Sequence, residues 1–294
     1  MVRFDSLASN TVEWCDFLDA IPHPALYDDS THQVWFLRHP QQSKILKRLN
    51  HHAPNQPFWR GMKQFFGVDI ARNPALMPQT VARFAQLCLL DIPTIHAASA
   101  SESGRYGFLL VAALAGETPQ PEQVSASLVV DLAQYLAHLH QQTFNHWGGL
   151  LSPYYPLGDW GKRLRHFLWQ QGCDESLDNS TWQAIVEQAG QIQPRASVPM
   201  IMDLRWDQFL MQEGRLSSLL DLDALVLAPV ELDWIILEYM LDEAQARLFK
   251  QAYQQWSPLP ELSAVRAPYR LLLQSLQVLG PHNCADWLAA PVRF

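Results

Sequence analysis

The sequence predicts an α+β protein with two lobes: a small mixed N-terminal lobe with an antiparallel sheet over residues 1–115, and a larger, mainly helical C-terminal lobe over residues 116–294. Two observations support this division. Short apolar runs around a turn, typical of an antiparallel hairpin, lie early in the chain, whereas long segments with helical periodicity dominate after residue 116. A chain of 294 residues is long enough to bury a substantial core in two lobes.

The N-terminal lobe is predicted to begin with a helix and a hairpin. Ser9–Ala20 has the apolar spacing of an amphipathic helix, which two prolines then interrupt. Val34–Leu37 and Lys44–Lys47 have the pattern of two strands joined by a turn that contains proline. Because side chains alternate along a strand, Lys44 and Lys47 lie on opposite faces, and only one of them can point into a cleft.

The rest of this lobe is predicted to hold two helices and a buried strand. A short helix covers Phe58–Gly67, with the glycine as its C-terminal cap, and a longer helix covers Pro78–Leu90. Ile92–Ile95 leads into a further strand, and the uniformly apolar Phe108–Val111 is a buried strand. The boundary between the lobes is placed near Gly116.

The C-terminal lobe is predicted to be built from helices with apolar faces. One candidate functional residue is His140, which stands near the end of the first of these helices. It could act as a catalytic base, but a histidine at a helix C-terminus more often has a structural hydrogen-bonding or charge role, and we favour that interpretation. The predicted helices are Val124–Gln142, Thr181–Gly190, Leu232–Gln254 and Ala267–Leu279.

Polar side chains flank a second predicted hairpin, whose strands are Phe209–Met211 and Leu216–Leu220. A hairpin brings the residues that precede its first strand next to those that follow its second. Carboxylates that converge in this way repel each other unless a cation or a proton lies between them, and oxygen ligands without His or Cys favour magnesium over zinc. The side chains expected to meet at this magnesium site are Asp203, Gln208, Asp221 and Asp223.

Composition excludes several classes of protein. The formal net charge is −8 and there is no basic tract, which argues against a nucleic-acid partner because phosphates would remain unneutralised. The four cysteines are scattered without a close pair, which indicates reduced thiols in a cytosol. The N-terminus lacks the apolar run of a signal peptide, and no apolar stretch approaches the length needed to span a membrane. We therefore expect a cytoplasmic protein that does not bind membranes.

The stretch from Met202 to Asp233 resembles the catalytic core of the aminoglycoside phosphotransferase and choline kinase group, within the protein-kinase-like superfamily. In that group a His-Gly-Asp-x-x-x-x-Asn loop precedes a hairpin and an Ile-Asp-[aromatic]-[Asp/Glu] segment. The resemblance implies that Asp203 is the catalytic aspartate. It also implies that Gln208 and Asp221 bind the metal, with Asp223 beside them.

The sequence departs from the family pattern at three places. Ile201-Met202 stand where His-Gly is expected, and Gln208 replaces Asn. Neither of the two helices predicted after the hairpin, Phe58–Gly67 and Pro78–Leu90, contains a Glu that could pair with a strand lysine. Gln86 lies at about the right place for that Glu, but an amide carries no charge. Asp233 matches the acidic position of the helix that follows the metal segment.

The resemblance further implies a two-lobed kinase-like fold that binds ATP or GTP between its lobes. Lys47 follows two apolar residues as the phosphate-binding lysine of the group does, and Lys44 is the weaker candidate. Backbone groups of the strand that leads to the hinge, at Ala112 and Ala113, are expected to bind adenine. The turn expected to cover the nucleotide is Asp28–Thr31, which contains no glycine.

The implied activity is ATP- and magnesium-dependent transfer of a phosphoryl group to a hydroxyl of a small molecule. The departures favour a second hypothesis, a catalytically weak kinase-like protein that binds nucleotide or a protein partner. Glu238, Asp242 and Glu243, together with the net charge of −8, favour an amino sugar or amino alcohol as acceptor. An exposed, solvated helix face is the alternative interpretation of these three acids.

Overall fold

A five-stranded antiparallel sheet organises the first part of the chain, in the strand order β1-β2-β3-β5-β4. The computed structural model describes residues 18–24, 30–102 and 105–294. The register of β2 against β3 pairs Val34 with Lys47, which confirms the predicted hairpin. The strands are β1 (Asp19–His23), β2 (His32–Arg38), β3 (Lys44–Leu49), β4 (Ile95–Ser99) and β5 (Phe108–Ala112).

Two helices lie between β3 and β4. The first, α1, covers Pro57–Phe65, and Gly67 follows it with a φ of +76°, the left-handed conformation predicted for its cap. The second, α2, covers Asn73–Phe84 and therefore begins and ends earlier than the predicted Pro78–Leu90. The Asn73-Pro74 start explains the earlier beginning, because proline is well suited to the first turn of a helix.

The remainder of the chain is mainly helical, as predicted, and carries two further small sheets. Among the described residues, no helix is long and apolar enough to cross a bilayer. The sheets have the strand orders β10-β9 and β7-β6-β11-β8. The helices are α3 (Ala126–His140), α4 (Trp160–Gln171), α5 (Asn179–Gly190), α6 (Val230–Met240), α7 (Glu243–Tyr253), α8 (Arg266–Leu276) and α9 (Cys284–Ala289). The strands are β6 (His146–Gly149), β7 (Tyr154–Pro156), β8 (Val198–Ile201), β9 (Phe209–Gln212), β10 (Arg215–Leu219) and β11 (Leu225–Ala228).

The observed architecture confirms the predicted fold class, an antiparallel N-terminal sheet followed by a helical part. One main hydrophobic core runs through the helices and reaches the sheet at Leu49, Leu109 and Val111. Helix α1 packs against α4 and α8, although it precedes residue 116 in the chain. The division into lobes of residues 1–115 and 116–294 stays a prediction. Helix α1 belongs to the first of these ranges but packs against helices of the second.

Several predicted helices were wrong in part. The helix predicted over Ser9–Ala20 lies mostly outside the described residues, and its last two residues begin β1 instead. The predicted helix Leu232–Gln254 is two helices, because Asp242 caps α7 by accepting a hydrogen bond from Gln245 N at 2.8 Å. After α8 the chain forms one more helix, α9, beyond the predicted closing helix.

The acids of this region have structural roles. Glu238 has a side chain with 0% exposure, and its carboxylate accepts from Arg270 at 2.7 Å and from Arg266 at 3.2 Å. Asp242 is the helix cap, and Glu243 forms an exposed pair with Arg247 in the next turn of α7. The sequence argument that these three acids attract a cationic acceptor was therefore wrong in its premise.

The buried ion pairs of Glu238 with Arg266 and Arg270 predict a large loss of stability in Glu238→Gln. The substitution keeps the shape but leaves two arginines without their counter-charge, of which Arg270 is almost fully buried. We expect the free energy of unfolding to fall by about 3 kcal/mol, since breaking a buried pair strands a charge. Urea denaturation measures the effect, and Glu243→Gln is the matched control, expected to lose at most about 0.5 kcal/mol. Equal losses in the two variants would contradict the structural role of Glu238.

Candidate active site

A tight hairpin carries the two halves of the site. Strands β9 and β10 are joined by Glu213 and Gly214, whose φ values are +52° and +74°. Two consecutive left-handed residues are the requirement of the two-residue turn that matches strand twist, and glycine adopts this conformation without strain. The turn fixes which residues before β9 meet which residues after β10.

Backbone hydrogen bonds fasten the segment before the hairpin to the segment after it. Leu220 N donates to Gln208 O at 2.8 Å, and Met202 N donates to Ala224 O at 3.1 Å. These two bonds bracket Asp203 on one side and Asp221 on the other. The backbone segments that carry the four polar side chains are therefore held side by side, and the magnesium site itself stays a prediction.

An ion pair joins the sheet to the metal segment. Lys47 Nζ lies 3.3 Å from Asp221 Oδ2 and 3.4 Å from the carbonyl oxygen of Leu220, to which it donates. Burial by itself would lower the pKa of Lys47, but the neighbouring carboxylates outweigh it and raise the pKa, Asp221 most of all. Burial would likewise raise the pKa of Asp221, and Lys47 instead holds it well below its usual range. Both groups are therefore charged at neutral pH.

Asp203 lies across this site in the loop between β8 and β9. Its carboxylate keeps 22% exposure and lies 3.6 Å from Arg205 Nη1. Burial raises the pKa of Asp203, Arg205 opposes the rise, and the negative charge of Asp221 adds to it. Arg205 also donates through Nε to Asp207 Oδ1 at 3.0 Å. A partly exposed carboxylate with a raised pKa is suited to accept a proton from a bound hydroxyl.

The oxygen atoms near Asp221 fit a magnesium ion. Gln208 Nε2 donates to the carbonyl oxygen of Asp203 at 2.9 Å, which leaves Gln208 Oε1 buried without a hydrogen-bond partner among the described residues. Asp223 Oδ2 is also buried without a hydrogen-bond partner among these residues. Within the described ranges no group of three His, Cys, Asp or Glu side chains could hold a metal. Magnesium bound at nucleotide sites ordinarily takes only one or two carboxylates, with phosphates and water completing the set.

Two residues of this site were missed by sequence reasoning. Asn73 Nδ2 donates to Asp223 at both its carbonyl oxygen, 3.0 Å, and its Oδ1, 3.2 Å. His32 is buried, with Nδ1 3.7 Å from Asp223 Oδ2, and its pKa is lowered to about 4 by burial and then by Lys47. The hairpin register gave a signal for His32, because it stands two residues from Val34, the cross-strand partner of Lys47. No signal pointed to Asn73, which depends on where α2 begins.

Helix α2 presents apolar side chains to Lys47. Met77 and Val81 line a small cavity together with Lys47 and Asp221. Gln86, the residue nearest to the expected helix glutamate, is exposed beyond the end of α2, and its side chain accepts from Arg83 at 3.3 Å. The structure thus provides no carboxylate on α2 for Lys47, as the sequence predicted.

The residues expected to bind adenine end β5. Ala112 N donates to Thr94 O at 2.8 Å, and Ala113 N donates to Ser43 O at 3.0 Å. Both amide hydrogens are therefore used within the sheet, and contacts to a nucleotide base would fall to carbonyl oxygens here or to the residues that follow. Gly116, with a φ of +125°, then turns the chain closely past Met211 O. The adenine contacts of Ala112 and Ala113 stay a prediction.

His140 is a structural residue. Its Nδ1 lies 2.8 Å from the hydroxyl of Tyr253, and its Nε2 lies 3.0 Å from Asp233 Oδ2. All three groups are largely buried, with Asp233 at 0% exposure. This network joins α3, α6 and α7, and it agrees with the favoured interpretation of His140.

Of the predicted nucleotide-covering turn Asp28–Thr31, the two aspartates lie outside the described residues.

The chain belongs to the phosphotransferase enzyme family. The sequence profile of that family, abbreviated APH, matches residues 23–269, which is more than half of the chain. This match confirms the resemblance that the motif between Met202 and Asp233 carries. No curated protein matches the chain.

Solved structures of related phosphotransferases share the fold. Macrolide 2'-phosphotransferase MphH from Brachybacterium faecium is 14% identical, with a TM-score of 0.58 over 94% of this chain and 93% of that one. A thermostable mutant of aminoglycoside phosphotransferase APH(4)-Ia, bound to ADP and hygromycin B, is 14% identical, with a TM-score of 0.61 over 94% and 88%. The GDP and kanamycin complex of an APH(2") protein is 12% identical, with a TM-score of 0.55 over 90% and 85%. At this identity the likeness establishes the kinase-like fold alone.

Proposed function

We propose that the protein transfers the terminal phosphoryl group of ATP to a hydroxyl of a small molecule. The observation that carries this proposal is the Lys47–Asp221 pair at 3.3 Å, fastened by backbone bonds to the loop that holds Asp203. The hydroxyl oxygen attacks the terminal phosphorus, the bond to the bridging oxygen of ADP breaks, and Asp203 takes the hydroxyl proton. Catalysis is then mostly positioning and charge neutralisation.

The remaining groups have distinct roles in this proposal. Lys47 binds the phosphates, and Asp221 with Gln208 Oε1 holds magnesium, with Asp223 next to it. The ion supplies charge neutralisation at the phosphates when bound. ATP is the proposed donor, and GTP remains its competitor, because related structures contain ADP in one case and GDP in another. The described cysteines are free thiols, which supports a cytosolic location.

The second candidate is a catalytically weak kinase-like protein that binds nucleotide or a protein partner. One observation favours it: α2 turns Met77 and Val81, not a carboxylate, toward Lys47. A lysine without that partner is less firmly oriented for phosphate. The pair with Asp221 compensates in part, which is why we place active phosphoryl transfer first.

For the acceptor we propose a neutral or cationic compound, such as an amino sugar or amino alcohol. The formal net charge of −8 supports this choice through long-range attraction. Related structures contain the aminoglycosides hygromycin B and kanamycin, which also favours it. The acids of α6 and α7 no longer contribute to the argument, since they are engaged in pairs and a cap.

Two measurements test the proposed function. Calorimetry with the non-hydrolysable analogue AMP-PNP should show binding that strengthens when magnesium is added, and an ADP-release screen of hydroxyl compounds should then find an acceptor. Turnover of a cationic acceptor should fall as salt rises, because the attraction is screened. Nucleotide binding without turnover of any acceptor would favour the second candidate. Preference for a sugar acid would contradict the acceptor proposal.

A further inference from the structure

We propose that Asn73 is a positioning residue, which fastens α2 to the metal segment through Asp223 in place of the helix glutamate that this chain lacks. The inference rests on the proposed function, because it explains how α2 is held in a fixed position relative to the proposed nucleotide site. It concerns residues that are 150 positions apart in the chain.

The contact between Asn73 and Asp223 has two hydrogen bonds. Asn73 is the first residue of α2, and its Nδ2 donates at 3.0 Å to the carbonyl oxygen and at 3.2 Å to Oδ1 of Asp223. The Asp223 side chain keeps only 5% exposure. A buried carboxylate needs donors, and one that loses them carries a large desolvation cost.

Other donors do not substitute for Asn73 at this carboxylate. His32 Nδ1 lies 3.7 Å from Asp223 Oδ2, which is beyond hydrogen-bond distance. Asp223 Oδ2 has no hydrogen-bond partner among the residues that the structure describes. Removing the Asn73 amide would therefore leave the carboxylate without its protein donor.

The row of side chains that continues from Asn73 along α2 at four-residue spacing is apolar. Asn73, Met77 and Val81 are spaced by four residues, so they lie along one face of α2, and the last two line the cavity beside Lys47. Asn73 is thus the polar member of the row that faces the site. It holds the helix to the metal segment at one end, while the apolar members line the cavity beside Lys47.

A shift of Asp223 would reach the metal ligand directly. Asp223 N donates to Asp221 Oδ1 at 3.1 Å, and Asp221 Oδ2 pairs with Lys47 at 3.3 Å. Asn73 therefore acts on the nucleotide site through Asp223 and Asp221 rather than by touching the nucleotide. Its loss should weaken magnesium-dependent binding more than binding of the nucleotide alone.

The test compares Asn73→Ala and Asn73→Asp with the control Gln86→Ala, which changes an exposed side chain just beyond the same helix. Calorimetry with AMP-PNP in magnesium should show affinity about tenfold lower in Asn73→Ala, as expected for a lost bond to a buried carboxylate. Asn73→Asp should lose more, because it sets a second carboxylate against Asp223. Without magnesium, both should change less than about twofold. Gln86→Ala should match the wild type throughout.

Hydrogen–deuterium exchange of the nucleotide-free protein tests the fastening by itself. The amides of α2 should exchange faster in both Asn73 variants and not in Gln86→Ala. Unchanged exchange in α2 would overturn the proposal. So would a lower melting temperature with intact magnesium-dependent affinity, since that is the behaviour of a merely structural contact. If the wild type binds no nucleotide, the proposed function fails, and the exchange result still decides whether Asn73 fastens α2.

Discussion

Asp203→Asn is expected to lower turnover by at least about 1000-fold, within the range for loss of a positioned general base. The carboxylate lies in the loop that backbone bonds fasten to the metal segment, and its raised pKa makes it a better proton acceptor. The amide keeps the shape, so the fold and the nucleotide affinity should stay unchanged. Steady-state ADP release with the identified acceptor, together with calorimetry of nucleotide binding, measures both quantities.

Asp207→Asn is the matched comparison for this prediction. It makes the same chemical change four residues further along the loop, where the carboxylate holds Arg205 at 3.0 Å. Turnover should fall less than about tenfold, since only the orientation of an arginine is disturbed and a single partly exposed pair is worth little. Comparable losses in the two variants would show that the loop, not the Asp203 carboxylate, is what matters. Full turnover in Asp203→Asn would remove its proposed role.

The parts of the site that the sequence predicted are those that depend on neighbouring residues. The β9–β10 hairpin is encoded by two apolar runs around a turn that tolerates left-handed residues. Once the hairpin is given, the meeting of Asp203 with Asp221 follows from geometry. Strand alternation placed Lys44 and Lys47 on opposite faces of β3, and the family resemblance favoured Lys47, the lysine that the structure pairs with Asp221.

The parts that the sequence did not predict depend on packing between distant segments. Asn73 meets Asp223 only because α2 begins at Asn73, a boundary that periodicity alone placed five residues later. In the sequence Glu238 stands in a row of acids, but its own partners, Arg266 and Arg270, come from a helix about thirty residues further on. Local pattern cannot distinguish a solvated acid from one that a later helix covers, because both interrupt the apolar face in the same way.

Asp221→Ala is expected to abolish the magnesium dependence of nucleotide binding. It removes the proposed carboxylate ligand and leaves Lys47, 3.3 Å away, without its partner. The loss of affinity for magnesium and AMP-PNP should be at least about 100-fold, since even residues that only support a metal ligand cost up to that much. Turnover should disappear with it. Calorimetry with and without magnesium measures the effect independently of any acceptor.

Gln208→Asn is the comparison variant for Asp221→Ala, because the two substitutions are expected to affect metal affinity differently. It restores the residue that the family places at this position, and a shorter amide is less mobile, so metal affinity should hold or strengthen while Asp221→Ala loses it. Both residues lie on the segments that the Leu220–Gln208 backbone bond joins, so general damage to the loop would lower both affinities together. Retained affinity for magnesium and nucleotide in Asp221→Ala would place the metal site elsewhere. Opposite responses of the two variants would instead locate it between the Asp221 carboxylate and Gln208 Oε1, which has no hydrogen-bond partner in the described part of the chain.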